Sequence, residues 1–189
     1  ALLIIFGGSG DLAHRKLYPA LFHLFKKGSL RQHFALIGTA RRDWSNDHFR
    51  STIAEFLPDD GEDYTEFLSH FYYQAHDVTD SQHYQTLKEL GERLDQRYET
   101  GHNRIFYMAM APSLFGTIAT HLKDQHLFTK QGYNRLIIEK PFGHDYDSAL
   151  ELNQQLEDTF DADQIFRIDH YLGKEVLRSL MQLRFGNPW

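Results

Sequence analysis

The stretch Leu2-Leu3-Ile4-Ile5-Phe6-Gly7-Gly8-Ser9-Gly10-Asp11-Leu12-Ala13 decides the fold. Five apolar residues without polar alternation read as a strand buried on both faces. The glycines that follow permit a tight turn, and a helical pattern begins near Gly10. Leu17, Leu21, Leu24 and Phe25 share one face of that helix. It closes at Lys26-Lys27-Gly28, a cationic last turn before a glycine stop. Pro19 falls inside the pattern and is expected to kink it or tighten its start.

The same alternation runs along the chain. Strands are read at 2–6, 34–38, 71–78, 104–111, 135–139 and 165–169. Between them lie helices marked by Phe49, Ile53 and Phe56 behind a Ser45 cap, and by Tyr84, Leu87, Leu90 and Leu94 behind a Ser81 cap. Others are marked by Ile118 and Leu122, and by Ala149, Leu152, Leu156 and Phe160. Val176, Leu177, Leu180 and Leu183 predict a closing helix. Residues 58–63, Pro-Asp-Asp-Gly-Glu-Asp, read as a solvated loop. Strands alternating with helices imply an α/β protein, a doubly wound parallel sheet of about six strands in the order 3-2-1-4-5-6 (Rossmann-like), forming one domain over residues 1–189.

Composition sets limits. The chain has 189 residues, 41% of them hydrophobic, enough for a core. A net charge of −6 argues against a nucleic-acid partner. The absence of cysteine removes disulfides, thiolate metal sites and cysteine nucleophiles. No histidine pair has trusted ligand spacing, so no metal is expected. The apolar run at 2–6 is too short for a signal peptide or a membrane span, and a cytoplasmic location is expected. The strand-like start and the 184–189 end read as a piece of a longer chain.

Residues 8–13 fit G-x-G-x-x-A. Between a strand and a helix, such glycines let backbone approach a pyrophosphate while the helix N-terminus offers N–H groups to it. Gly8, Ser9, Gly10, Asp11 and Leu12 are therefore candidate cofactor contacts. An NAD-binding fold usually ends its second strand with an acid for the ribose hydroxyls. Here that strand ends Gly38-Thr39-Ala40-Arg41-Arg42. Two guanidiniums suit a 2′-phosphate, which points to NADP. Asp43 stands ready to pair with either.

At the far end, Arg167-Ile168-Asp169-His170-Tyr171-Leu172-Gly173-Lys174-Glu175 follows the sixth strand and opens a helix. His170 and Lys174 can hold a phosphate, Tyr171 can donate to it, and Asp169 can orient an imidazole. Both are expected at one edge of the sheet with Lys140, from Glu139-Lys140-Pro141-Phe142-Gly143, where a cis bond before Pro141 fits the turn. Lys16 can also face that crevice.

These pieces, with Arg15-Lys16-Leu17-Tyr18-Pro19 and His76-Asp77-Val78-Thr79-Asp80, appear in the order found in glucose-6-phosphate dehydrogenases, and the chain resembles that family throughout. The resemblance implies oxidation of glucose 6-phosphate to 6-phosphogluconolactone with NADP, in the pentose phosphate pathway. It implies that His170, Tyr171 and Lys174 bind substrate and that Lys140 touches both ligands. It adds Asp77 and Val78 to the cofactor contacts and pairs Asp169 with a catalytic histidine. That histidine belongs to an H-x-x-Q segment in a following β+α domain, and no H-x-x-Q occurs here. The base, further substrate contacts and the interface of a homodimeric or homotetrameric parent are thus expected outside this chain, which by itself is expected to be inactive and allows a monomer. Two other readings stay open. One is a stand-alone dinucleotide-binding regulatory module, favoured by the missing base and opposed by the 169–171 motif. The other is an oxidoreductase of the same fold with another substrate, separated only by residues 167–175.

Overall fold

The computed structural model describes residues 1–28, 30, 33–58, 61–139, 146–161 and 164–168. The strands are β1 Leu2–Phe6, β2 Ala35–Ala40, β3 Phe71–Ala75, β4 Arg104–Met108, β5 Asn134–Glu139 and β6 Ile165–Ile168. All pair in parallel, in the order β3-β2-β1-β4-β5-β6. This is the doubly wound order expected. The helices are α1 Tyr18–Lys26, α2 Asn46–Ala54, α3 Glu62–Ser69, α4 Ser81–Tyr98, α5 Phe115–Asp124 and α6 Tyr146–Thr159. Among the described residues, no helix is long and apolar enough to cross a membrane.

The uniform apolarity of β1 has a simple cause: every side chain on it is buried, and alternate ones enter opposite cores. Leu3 and Ile5 pack with Leu21, Phe25, Phe49 and Phe67, from α1, α2 and α3. Leu2, Ile4 and Phe6 pack with Tyr84, Leu87, Ile118 and Leu156, from α4, α5 and α6. Each fully buried large side chain contributes roughly 1.5–3 kcal/mol.

Local chemistry departs from expectation at five places. The helix around Pro19 starts on a widened turn rather than a tightened one. A π-helical turn at Ala13–Leu17 precedes α1, with Pro19 in the first turn of α1. Proline has no N–H and crowds the carbonyl four residues back, and a widened turn relieves both. The cap of α4 is Asp80, whose Oδ1 accepts from the Gln82 N–H at 2.9 Å, so Ser81 is already helical. Ser45 caps α2 as expected, accepting from the His48 N–H at 3.0 Å. Within the 58–63 loop, Gly61 at φ 71° instead opens α3, whose first-turn Glu62 and Asp63 face the positive helix end. Strands β3 and β4 end three residues earlier than read, at 75 and 108, because the chain there turns away to form the ligand edge. The closing helix at 176–183 lies outside the described residues.

The opposite edge of the sheet is locked by charge. Arg104, at the start of β4, donates to Asp95 Oδ2 at 2.8 Å and to the Leu127 carbonyl. Thr100 donates to Asp95 Oδ1 at 2.6 Å. Asp95 is wholly buried and Arg104 nearly so. Removing one partner strands the other in apolar surroundings. Asp95→Ala is expected to cost about 3–5 kcal/mol in urea denaturation, and Asp95→Ala/Arg104→Met clearly less. A single-variant loss below about 1 kcal/mol would refute a structural lock.

Candidate functional site

The strand order reverses between β1 and β4, and a crevice opens beyond their C-terminal ends. Backbone alone builds its floor. The Gly7 and Gly8 N–H groups both donate to the Thr39 carbonyl, each at 2.9 Å. The Ala109 N–H donates to the Phe6 carbonyl at 2.8 Å. Gly7 has φ 93°, and a β-carbon on it would lie 2.2 Å from the Ala109 carbonyl oxygen. One on Gly8 would lie 2.7 Å from Gly38 Cα. The buried Tyr18 hydroxyl donates to the Gly8 carbonyl at 2.6 Å, tying α1 to the turn.

A cleft of about 500 Å³ stands on this floor. The glycine turn contributes Gly7, Ser9 and Gly10, β2 contributes Thr39, Ala40 and Arg41, and the chain after β3 contributes His76, Val78 and Thr79. Ala109, Met110, Ala111 and Leu114 form the far wall. A smaller hollow beside it, about 270 Å³, is lined by Ser9, Asp11, His14, Arg42, Trp44, Thr52 and Phe56.

Of the residues expected to hold a cofactor, Ser9, Gly10, Arg41 and Val78 line the cleft. Asp11 and Arg42 line the hollow, where Arg42 lies 5.7 Å over the Trp44 ring. Gly8 belongs to the floor's backbone packing but does not itself line the cleft. Leu12 and Lys16 are exposed and line neither space. Asp77 also lines neither: it supports the wall, accepting from the Thr79 N–H at 2.9 Å and the Thr79 hydroxyl at 2.7 Å. These two hydrogen bonds, then the Arg41 charge, hold its carboxyl below the ordinary range. Arg41 reaches this Asp77 at 3.7 Å rather than the adjacent Asp43. Lys140, Asp169, His170, Tyr171 and Lys174 lie outside the described residues.

Sequence reading missed Gly7 and His76. The signal for Gly7 was present, a third glycine where β1 must pass under β4. His76 gave none beyond heading the 76–80 stretch that matches the family. It is 2% exposed, packs edge-on against Phe6 and Tyr84, and neither ring nitrogen has a hydrogen-bond partner. Burial, then neighbouring His83, pushes it down to about 4, so it is neutral at physiological pH.

A doubly wound sheet with a glycine-floored cleft at its switch point is a dinucleotide-binding domain of the α/β class. Comparison with known proteins narrows this. Residues 4–179 match the family described as glucose-6-phosphate dehydrogenase, NAD binding domain. Glucose-6-phosphate 1-dehydrogenase of Streptococcus pneumoniae serotype 4 is 54% identical over 98% of this chain and 38% of its own. That of Leuconostoc mesenteroides is 52% identical over 99% of this chain and 39% of its own. A solved glucose-6-phosphate dehydrogenase in complex with its substrate glucose-6-phosphate superimposes with TM-score 0.84 at 41% identity, over 98% of this chain and 40% of that one. The chain belongs to the glucose-6-phosphate dehydrogenase family, in the family's NAD-binding domain, and spans about two fifths of the length of the relatives it matches.

His76 carries a stability prediction. A histidine kept neutral in the fold but protonated when unfolded lets the unfolded chain bind more protons. Stability should therefore fall as pH drops from 6.5 toward about 4, and this residue adds no further loss below that. The contribution is up to about 3 kcal/mol. His14 and His70 are also held low by burial and act in the same direction. His76→Phe should equal or exceed the parent in stability at neutral pH, since it replaces two unpaired nitrogens by apolar ring. It should also lose less stability on acidification. Parallel stability–pH curves for the two proteins, by thermal denaturation, would contradict this.

Proposed function

We propose that this chain is the cofactor-binding domain of an enzyme that oxidises glucose 6-phosphate to 6-phosphogluconolactone with NADP. The observation that carries the reading is the cleft itself: a glycine floor admitting a pyrophosphate, with Arg41 at one end and Arg42 beside it. Three features favour a dinucleotide. The floor admits no side chain. The helix beginning at Asp11 offers the N–H groups of its first turn. The guanidiniums of Arg41 and Arg42, just after β2, suit a 2′-phosphate. NADP, when bound, accepts the hydride.

The chain's own residues have holding roles. Ser9 and Gly10 shape the phosphate end, Val78 and Thr79 wall the cleft, and Asp77 sets the position of Arg41. By their match to the family motif, His170, Tyr171 and Lys174 hold the sugar phosphate, Lys140 touches both ligands, and Asp169 pairs with a histidine from another part of the enzyme. The reaction belongs in the cytoplasm, where charged sugar phosphates are retained, and the parent assembles as a homodimer or homotetramer through its second domain.

Calorimetric titration decides the cofactor. NADP should bind more tightly than NAD, and Arg41→Ala should remove much of the difference, roughly tenfold to a hundredfold for a charge-assisted contact. Equal affinities in the unmutated chain would overturn the NADP reading. With glucose 6-phosphate and NADP together, turnover should be at least ~10²-fold below that of the Leuconostoc mesenteroides relative, because no base is supplied. Comparable turnover would place a base within these residues.

A further inference from the structure

The loop 77–80 walls the cleft, and one imidazole holds its first residue. His83, in the first turn of α4, receives the backbone N–H of Asp77 on Nδ1 at 2.7 Å. A backbone N–H can only donate, so Nδ1 must carry a lone pair and the ring proton must sit on Nε2. Nε2 lies 3.5 Å from Asp80 Oδ2. The rest of the loop hangs on this anchor. The Asp80 N–H donates to the Asp77 carbonyl at 3.0 Å, and Asp77 orients both Thr79 and Arg41. Gln74 Nε2 fixes the His83 carbonyl at 2.8 Å, so the helix turn itself is held.

We propose that His83 is a positioning residue for cofactor binding, and that its protonation releases the loop carrying Asp77, Val78 and Thr79 and so weakens NADP binding. The inference rests on the cofactor reading above. A second proton can land only on Nδ1, which then confronts the Asp77 N–H donor to donor. The bond is lost, and the imidazolium has the Asp80 carboxylate to turn toward. His83 is about two fifths exposed.

Other groups face this point. The His76 ring, 5.7 Å away, stays neutral down to about 4. The Asp77 carboxyl is held below the ordinary range by its hydrogen bonds from Thr79 and by Arg41. From α5, His121 stacks on Tyr84 rather than on His83. His14 borders the neighbouring hollow, and the ligand's own phosphate titrates, but both do so whether or not His83 is present.

The test is NADP titration calorimetry from about pH 8 to about pH 5.5 on the chain and on His83→Asn. Asparagine Oδ1 occupies the place of Nδ1, accepts the same N–H and cannot protonate. Near pH 8 the two proteins should bind alike. On acidification the unmutated chain should weaken on the order of fivefold relative to the variant, the worth of one neutral hydrogen bond. His83→Ala should be weak by the same factor at both ends of the range. Parallel curves for the chain and His83→Asn, or an affinity that rises only in the unmutated chain, overturn the proposal. Hydrogen-exchange protection of the Asp77 amide in the unmutated chain is the second measurement, needing neither variant nor ligand. Protection should be lost as His83 protonates, and its persistence overturns the proposal. Failure to bind NADP at any pH would sink the cofactor reading instead, leaving the amide protection to decide the loop.

Discussion

Two glycine backbones pressed between neighbouring strands set the geometry on which everything at the ligand edge depends. Gly8 lies against Gly38, and Gly7 lies beneath the Ala109 carbonyl, at separations no β-carbon can share. Gly38 is committed on its other side as well, since a β-carbon there would lie 2.5 Å from the Phe49 ring. One apolar core therefore reaches the floor of the cleft through the same residue that lets β1 turn. The Tyr18 hydroxyl bonded to the Gly8 carbonyl closes the arrangement from the helix side. The cleft exists because its floor is made only of main chain, and main chain is what can approach a phosphate closely.

The two ends of the sheet divide the physical demands. At the N-terminal edge the buried charges Arg104 and Asp95 have close partners, reinforced by Thr100 and the Leu127 carbonyl. At the C-terminal edge, buried polar atoms are left over: both His76 ring nitrogens and Gln74 Oε1 have no partner. Unpaired buried groups cost stability. Those two residues lie on and just after the strand that ends at the cleft, and Arg104 Nε is likewise left over at the opposite edge.

The architecture was legible in the sequence because parallel strands covered on both faces must be apolar throughout, and β1 shows this in five consecutive residues. Strand ends were less legible. Residues 76–78 and 109–111 look like strand, yet the ladder stops after one bond each, from the His76 N–H to the Ala40 carbonyl and from the Ala109 N–H to the Phe6 carbonyl, and only the tertiary fold decides that. Helix α3 was hidden because its start is acidic and glycine-led, the same composition as a solvated loop, and only buried Phe67 shows that it packs. In the site, the glycine turn and Arg41 follow from residue type and spacing. The supporting roles of His76, Asp77 and His83 do not, because they depend on which backbone groups the fold leaves exposed or pairs.

Arg41 shows how such support can serve selectivity. Among the described residues its only close carboxylate, Asp77, is 3.7 Å away, and the guanidinium is 78% exposed. An exposed pair of that length contributes little to stability, on the order of 0–1 kcal/mol. The carboxylate is nevertheless ionised and fixed by two hydrogen bonds from Thr79, so it orients the guanidinium without capturing it. A phosphate offers doubly charged oxygens in a geometry that a guanidinium can grip at two points, which an exposed carboxylate at 3.7 Å does not. Exchange of one anion for the other therefore favours the phosphate, with the arm already turned toward the cleft. A ribose lacking that phosphate would gain nothing from the exchange and would leave Arg41 on Asp77. On the proposed NADP reading, discrimination would rest on a weak resting contact, and a stronger buried pair at this position would erode it.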